Sequence, residues 1–264
     1  MSGAMFRLTK WYLDCVSDAG DVVIAHCAAG KRGVLPVGYS SLLVSPNNGN
    51  ATERRSMRRS APPQRADGSL NWGCDRLGID GQWKTRDEPA TRVLYETPEG
   101  SVVWTCHNQG GRASIHMWDG RRVTGFGYVE ELTLSIAPWK LPLDELIWGR
   151  FISDSDVVTW IEWVGSHPLR LVIHNGVEQR ETTLSARCVV SEDEGWSLTL
   201  ERARSLRQGP LGKTAFAGIG LAKFLVPARV RRSREERILS RSELRRADES
   251  TVWGWSIHER IRWE

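Results

Sequence analysis

From residue 90 onward the chain is a succession of short β-rich runs: ATRVLYETPEG, SVVWTCHN, RASIHMW, VTGFGYVEELTLSI, VVTWIEWVG, LRLVIHNG, TTLSARCVVS and WSLTLERAR. Turn dipeptides such as Glu99-Gly100, Asp119-Gly120 and Asn175-Gly176 punctuate them. Strands separated by turns roughly every eight to twelve residues build antiparallel barrels or sandwiches, and they leave no room for the crossover helices of βαβ units. The last segment, VWGWSIHERIRW, alternates, with Trp253, Trp255, Ile257, Ile261 and Trp263 on one face, as a half-buried strand requires. Near the start, KWYLDCVSDAGDVVIAHC reads as a hairpin around Asp18-Ala19-Gly20-Asp21. A two-residue turn there sets Leu13 opposite His26 and Cys15 opposite Ile24. Residues 45–69 are polar, rich in Pro and Gly and aperiodic, and are expected to form a long flexible loop. Helix is expected only at 216–225 and 232–239.

With 264 residues, the chain has the length of one large or two small domains. No run of about 18 apolar residues marks a membrane-spanning helix. The N-terminal residues carry no apolar stretch of signal-peptide length, so a cytoplasmic location is expected. The five cysteines, an odd number without CxxC spacing, then read as reduced thiols. The six histidines show no metal-ligand spacing, and no metal or cofactor is expected. His26 reads as a satisfied core histidine. GPLGKT at 209–214 imitates a phosphate-binding loop, but Arg207 stands where its first glycine is needed; GIGLAK at 218–223 lacks the third glycine of a dinucleotide fingerprint. GxSxG and HExxH are absent.

The net charge of +4 is unevenly spread: residues 53–65 hold five Arg and one Glu, and residues 229–246 hold eight Arg and three Glu. Such clusters suit a solvated face or peripheral contact with an anionic surface. They lack the interleaved aromatics of a single-strand binder and match no helix-turn-helix or zinc finger, so no specific nucleic acid is expected.

One residue breaks the pattern. Along 125–136, alternation sets Tyr128, Glu130, Leu132, Leu134 and Ile136 on one face, and Gly127, Val129, Glu131, Thr133 and Ser135 on the other. Glu131 then looks solvated, whereas Glu130 stands among apolar neighbours. Desolvation raises the pKa of a carboxyl group, and such a group can serve as a general acid. A structural latch, with Glu130 paired to a buried Arg or Trp N–H, is the alternative. His107, close behind Trp104 and Cys106 at a strand end, is a further pocket candidate.

GFGYVE, PWKLP, LIWGRF and VTWIEW, together with the closing STVWGWSIHERIRW, resemble the lipocalin-like superfamily of hydroxyneurosporene synthase, carotenoid hydratases, tocopherol cyclase and fungal Diels–Alderases. The likeness spans most of residues 72–263. It implies an all-β fold of two calycin-like antiparallel β-barrels packed side by side, here assigned to residues 1–137 and 138–264. It also implies cofactor-independent hydration or cyclisation of a polyene, isoprenoid-like or polyketide-like molecule. By position, Glu130 becomes the acid after Gly-Tyr, and Trp148 and Trp160 the contributions of a Trp-rich strand. The chain reads Gly127-Tyr128-Val129-Glu130-Glu131 where carotenoid hydratases show a Gly-Tyr-Trp-Asp-His-like signature, which points away from carotenoid hydration in particular.

The expectation is therefore a hydratase or cyclase in which Glu130 protonates a hydrophobic small molecule. Trp104, His107, Tyr128, Trp148 and Trp160 would line the pocket, and the aromatic faces would stabilise a developing cation. Thirteen Trp against five Phe suits an aromatic-lined cavity as well as plain packing. The rival expectation is a non-catalytic carrier of a lipid or pigment.

Overall fold

The computed structural model describes residues 6–33, 35–86, 88–214 and 226–264. The chain divides into two compact units, 1–141 and 142–264. The helix expected at 216–225 and the GIGLAK motif lie outside the described residues.

The first unit contains β1 (Phe6–Ser17), β2 (Val22–Arg32), β3 (Leu35–Ser45), β4 (Thr52–Ser56), β5 (Gln64–Ala66), β6 (Ser69–Cys74), β7 (Ile79–Lys84), β8 (Ala90–Thr97), β9 (Gly100–Met117) and β10 (Arg122–Leu134). They form one antiparallel sheet in the order β4-β3-β2-β1-β10-β9-β7-β6-β5, with β8 paired to the first half of β9. The last strand thus returns beside the first, which curls the sheet toward a calycin-like barrel. Trp11, Leu13, Cys15, Val23, Ala25, Trp72, Trp83, Ile115 and Val129 fill its inner face.

The second unit repeats this plan with β11 (Glu145–Ile152), β12 (Val157–Val164), β13 (Leu169–His174), β14 (Val177–Gln179), β15 (Thr182–Leu184), β16 (Cys188–Ser191), β17 (Trp196–Pro210), β18 (Arg234–Arg245) and β19 (Thr251–Arg262). Their order is β14-β13-β12-β11-β19-β18-β17-β16-β15, again with last strand beside first. Phe151, Val158, Trp160, Val172, Trp196, Leu198 and Leu244 form the inner core.

Three local expectations are corrected. The hairpin turn has three residues, Asp18-Ala19-Gly20, closed by Ser17 N–H to the Asp21 carbonyl and ended by Gly20 at φ 87°. Left-handed backbone of this kind favours glycine. The register consequently slips by one: Tyr12, not Leu13, faces His26, and Cys15 faces Val23. The slip moves every side chain of the pair to a different neighbour. Residues 45–69 are not one loop, because β4 pairs with β3 and β5 with β6 inside it. Residues 234–239, expected helical, belong to β18; the short helix α1 spans Ala228–Arg232.

The arginine-rich segments are partly consumed by internal contacts. Arg55 pairs with Glu53 at 2.5 Å and Arg237 with Glu259 at 2.5 Å, while Arg246 pairs with Asp156. Among the described residues no helix is long and apolar enough to cross a membrane.

Candidate active site around Glu130

Both faces of β10 are covered, which alternation alone does not reveal. Val129 faces the inner core of the first unit, and Tyr128, on the opposite face, is fully buried. Glu130 shares the Tyr128 face and is half-buried. Its Oε2 accepts two hydrogen bonds, from Trp104 Nε1–H at 2.6 Å and from the Tyr128 hydroxyl at 2.8 Å.

Cross-strand register brings more polar groups to the same patch. At one level His26 of β2, Tyr12 of β1, Glu130 of β10 and Cys106 of β9 lie side by side. At the next, Asp14 of β1 faces Tyr128. The Tyr12 hydroxyl donates to Asp14 Oδ2 at 2.9 Å, and Asp14 has no exposed surface. The rings of Tyr12 and Tyr128 meet edge to face, centroids 6.1 Å apart, and Tyr12 meets His26 likewise at 5.2 Å. Burial, then the nearby Cys106 and Glu130, push the Tyr128 phenol well above its ordinary value. Burial also pushes the Cys106 thiol up, against the effect of a hydrogen bond with Tyr128. Both therefore act as neutral groups, Tyr128 as a donor and Cys106 as a small buried thiol.

The local sequence explains how the patch is held. Gly127 lies flat against Trp83; a Cβ there would come within 2.6 Å of the indole Cδ1 and 2.5 Å of Ala113 Cβ. That close approach lets Trp83 reach across and donate its Nε1–H to the Asp14 carbonyl at 2.7 Å. β9 is irregular opposite this point, with register shifts between Gly127 and Val129 and between Val129 and Glu130. Trp104 and Cys106 share the face of Glu130, so alternation along β9 puts His107 on the inner face, with Thr105 and its partner Glu131.

His107 therefore does not join Glu130. Its Nε2 lies 3.1 Å from Glu131 Oε2, and its ring stacks on inward-facing Trp11 at 4.6 Å. Glu131, expected to be solvated, is half-buried. The hydrogen bond with His107 holds its carboxyl below the ordinary range, outweighing burial, with help from Thr133. Trp160 belongs to the inner core of the second unit, packed flat on Gly149, whereas Trp148 lies on the opposite face of that sheet beside Glu259. One face of the Trp-rich strands therefore does not present both indoles. Of the residues singled out in the sequence, Trp104, Tyr128 and Glu130 come together. Tyr12, Asp14 and Cys106 were missed. Asp14 was open to the argument used for Glu130, an acid inside the apolar run WYLDCV.

Away from Glu130, a cleft of about 620 Å³ opens on the outer face of β7, β9 and β10, lined by polar residues such as Asp80, Gln82, Lys84, Arg112 and His116. Its lining suits no apolar substrate. No grouping of metal-ligating side chains occurs among the described residues.

No family model and no curated protein matches the chain in sequence. Solved structures do match in fold. Kievitone hydratase from Nectria haematococca aligns with a TM-score of 0.56 at 8% identity, over 97% of this chain and 89% of its own. CghA aligns at 0.58 and 11%, over 97% and 88%. A protein named for AttH from Nitrosomonas europaea aligns at 0.51 and 9%, over 96% and 92%. The resemblance carried by GFGYVE, PWKLP and LIWGRF thus holds for the fold: this chain has the lipocalin-like double-sheet architecture shared by kievitone hydratase and CghA.

Proposed function

We infer that the chain is an enzyme that protonates a hydrophobic small molecule at Glu130, using only its own side chains, and so brings about hydration or cyclisation. The observation that carries this reading is the pair of neutral donors on one carboxyl oxygen; the Trp104 N–H among them is also the latch named above as the alternative, and the Glu130→Gln comparison below separates the two. When Glu130 is protonated, Oε2 already accepts two hydrogen bonds, so the proton sits on Oε1. When that proton leaves, charge develops on the carboxylate, and the Trp104 and Tyr128 donors are already in place to receive it. Donors fixed before reaction cost no reorganisation at the moment of transfer. The indole of Trp104 and the phenol of Tyr128 also offer aromatic faces to a cation.

Two relatives in fold support the reaction class by what they are called or were solved with: one is a hydratase of kievitone, and CghA has been solved with Sch210972. The carrier alternative gains nothing from the first unit's inner face, where Trp11, Trp72, Trp83 and their aliphatic neighbours pack into one core.

The test is native mass spectrometry with organic extraction of freshly purified protein, wild type beside Glu130→Gln. The expected result is an apolar molecule in the variant and its hydrated or cyclised form in the wild type. The same molecule in both would make the chain a carrier.

A further inference from the structure

Two tyrosine–carboxyl pairs lie in register on neighbouring strands. β1 carries Tyr12 and Asp14; β10 carries Glu130 and Tyr128. Within each strand the phenol donates to the acid two residues away: Tyr12 to Asp14 at 2.9 Å, Tyr128 to Glu130 at 2.8 Å. Across the strands each acid faces the other pair's tyrosine, since Tyr12 is opposite Glu130 and Asp14 opposite Tyr128. The four side chains form a block with the carboxyl groups on one diagonal and the phenols on the other.

We propose that Asp14 is the second carboxyl of this site and, with Tyr12, takes up the proton that the attacking water releases. The proposal rests on the reading of Glu130 as the acid. Asp14 has no exposed surface, so it acts through Tyr12 and is a positioning residue rather than one that touches substrate.

The proton balance closes. The Glu130 O–H bond breaks and its proton forms a C–H bond with the π pair of a substrate double bond, leaving a carbocation and the Glu130 carboxylate. The water oxygen forms a C–O bond to the cation. One water proton passes to the Tyr12 oxygen while the Tyr12 O–H proton passes to the Asp14 carboxylate along the 2.9 Å hydrogen bond. One proton has left Glu130 and one has arrived at Asp14. The enzyme is reset when Asp14 gives up its proton and Glu130 takes one up.

Other titratable groups on the strands around the block are His26 of β2, beside Tyr12, and Cys106 of β9, beside Glu130. The charges of Glu130 and of Asp14 both act on the Cys106 thiol, so the two carboxyl groups share one electrostatic neighbourhood. On the proposal the two carboxyl groups titrate as a pair, with apparent values belonging to neither alone.

This supplies a test that needs no substrate. Carboxyl-labelled Asp and Glu would be followed by carbon NMR against pH in wild type, Glu130→Gln, Asp14→Asn and Tyr12→Phe. The expected result is a two-step titration of both Asp14 and Glu130 in wild type. A single step is expected for Asp14 in Glu130→Gln and for Glu130 in Asp14→Asn, and a shifted Asp14 midpoint in Tyr12→Phe, each read on protein that retains a cooperative melting transition. Asp14 titrating identically in wild type and Glu130→Gln would overturn the proposal. Should Asp14→Asn fail to fold, the Glu130→Gln and Tyr12→Phe comparisons decide it alone. The extraction experiment reads the role of Glu130 separately, so failure of the pairing and failure of the acid are distinguishable.

Discussion

The two units share a strand order and differ where first strand meets last. In the first, the outward residues at that seam are Tyr12 and Asp14 against Glu130 and Tyr128. In the second, they are Trp148 and Arg150 against Glu259 and Ile257. Each seam holds a glutamate on its last strand. Glu130 is gripped by an indole N–H and a phenol, Glu259 by the guanidinium of Arg237 at 2.5 Å. The neighbour of each acid differs in the same sense: Asp14 occupies the first seam, and Arg150, fully buried and donating to the Trp255 carbonyl at 2.7 Å, the second. One architecture has thus been filled twice. A carboxylate answered by a cation is spent on holding the fold. A carboxyl answered by neutral donors has no cation to neutralise it, and that is the difference on which the role proposed for Glu130 rests.

That contrast is open to direct attack. Glu259→Gln removes the negative charge paired with the Arg237 guanidinium, which is 2% exposed. Breaking a buried pair from one side should cost about 3–5 kcal/mol. Glu130→Gln keeps an acceptor for Trp104 and Tyr128 and should cost less than about 1 kcal/mol, within the range of one hydrogen bond. Urea denaturation of the two variants checks both numbers, and equal losses would erase the distinction between the seams.

A smaller effect tests whether the two seams are built alike beneath the surface. Each unit lays a glycine on an indole: Gly127 on Trp83, and Gly149 on Trp160 with a ring atom 2.2 Å from where a Cβ would stand. Ala at either position overpacks and should cost about 1–3 kcal/mol. Gly127→Ala should in addition weaken the hold on Glu130, because Trp83 anchors β1 through the Asp14 carbonyl. Gly149→Ala should leave ligand conversion unchanged per folded molecule.

The least effect appears only in acid. Burial alone would raise the Asp156 carboxyl, but its contacts with Arg246, Ser155 and His174 outweigh it and bring it to about 2 from 3.8. A depressed carboxyl stabilises the fold above its unfolded pKa, and that stability is lost as pH falls through the folded value. The second unit should therefore lose hydrogen-exchange protection between about pH 4 and pH 2. Asp156→Asn should be less stable at neutral pH and flatter across that window.

The strand content, the meander and the Tyr128–Glu130 face were legible because period-two alternation survives in β10 and β19. The exposure of Glu131 was misjudged, although its face was right, because alternation separates two faces without saying that both are covered. Trp11, Leu13 and Cys15 on one face of β1 and Tyr12, Asp14 and Val16 on the other make the same point: every position is buried or nearly so, and the pattern disappears. The first hairpin was misplaced by one residue of turn length, which backbone hydrogen bonding sets rather than hydrophobic order, whereas His107 stands opposite Trp104 and Cys106 by simple alternation and could have been separated from them. β4 and β5 hid in polar sequence because edge-proximal strands with an exposed face need few apolar residues.

The seam between β1 and β10 also sets a timetable for the newborn chain. Tyr128 and Glu130 leave the ribosome more than a hundred residues after Tyr12 and Asp14. At about 5–20 residues per second that is a wait of roughly 5–25 seconds. During it β1 can zip to β2 on one side while its other edge, flanked by the charges of Arg7, Lys10 and Asp14, stays open to passing strands. Charged side chains on an open strand oppose pairing with other strands, and β1 carries three of them until β10 arrives.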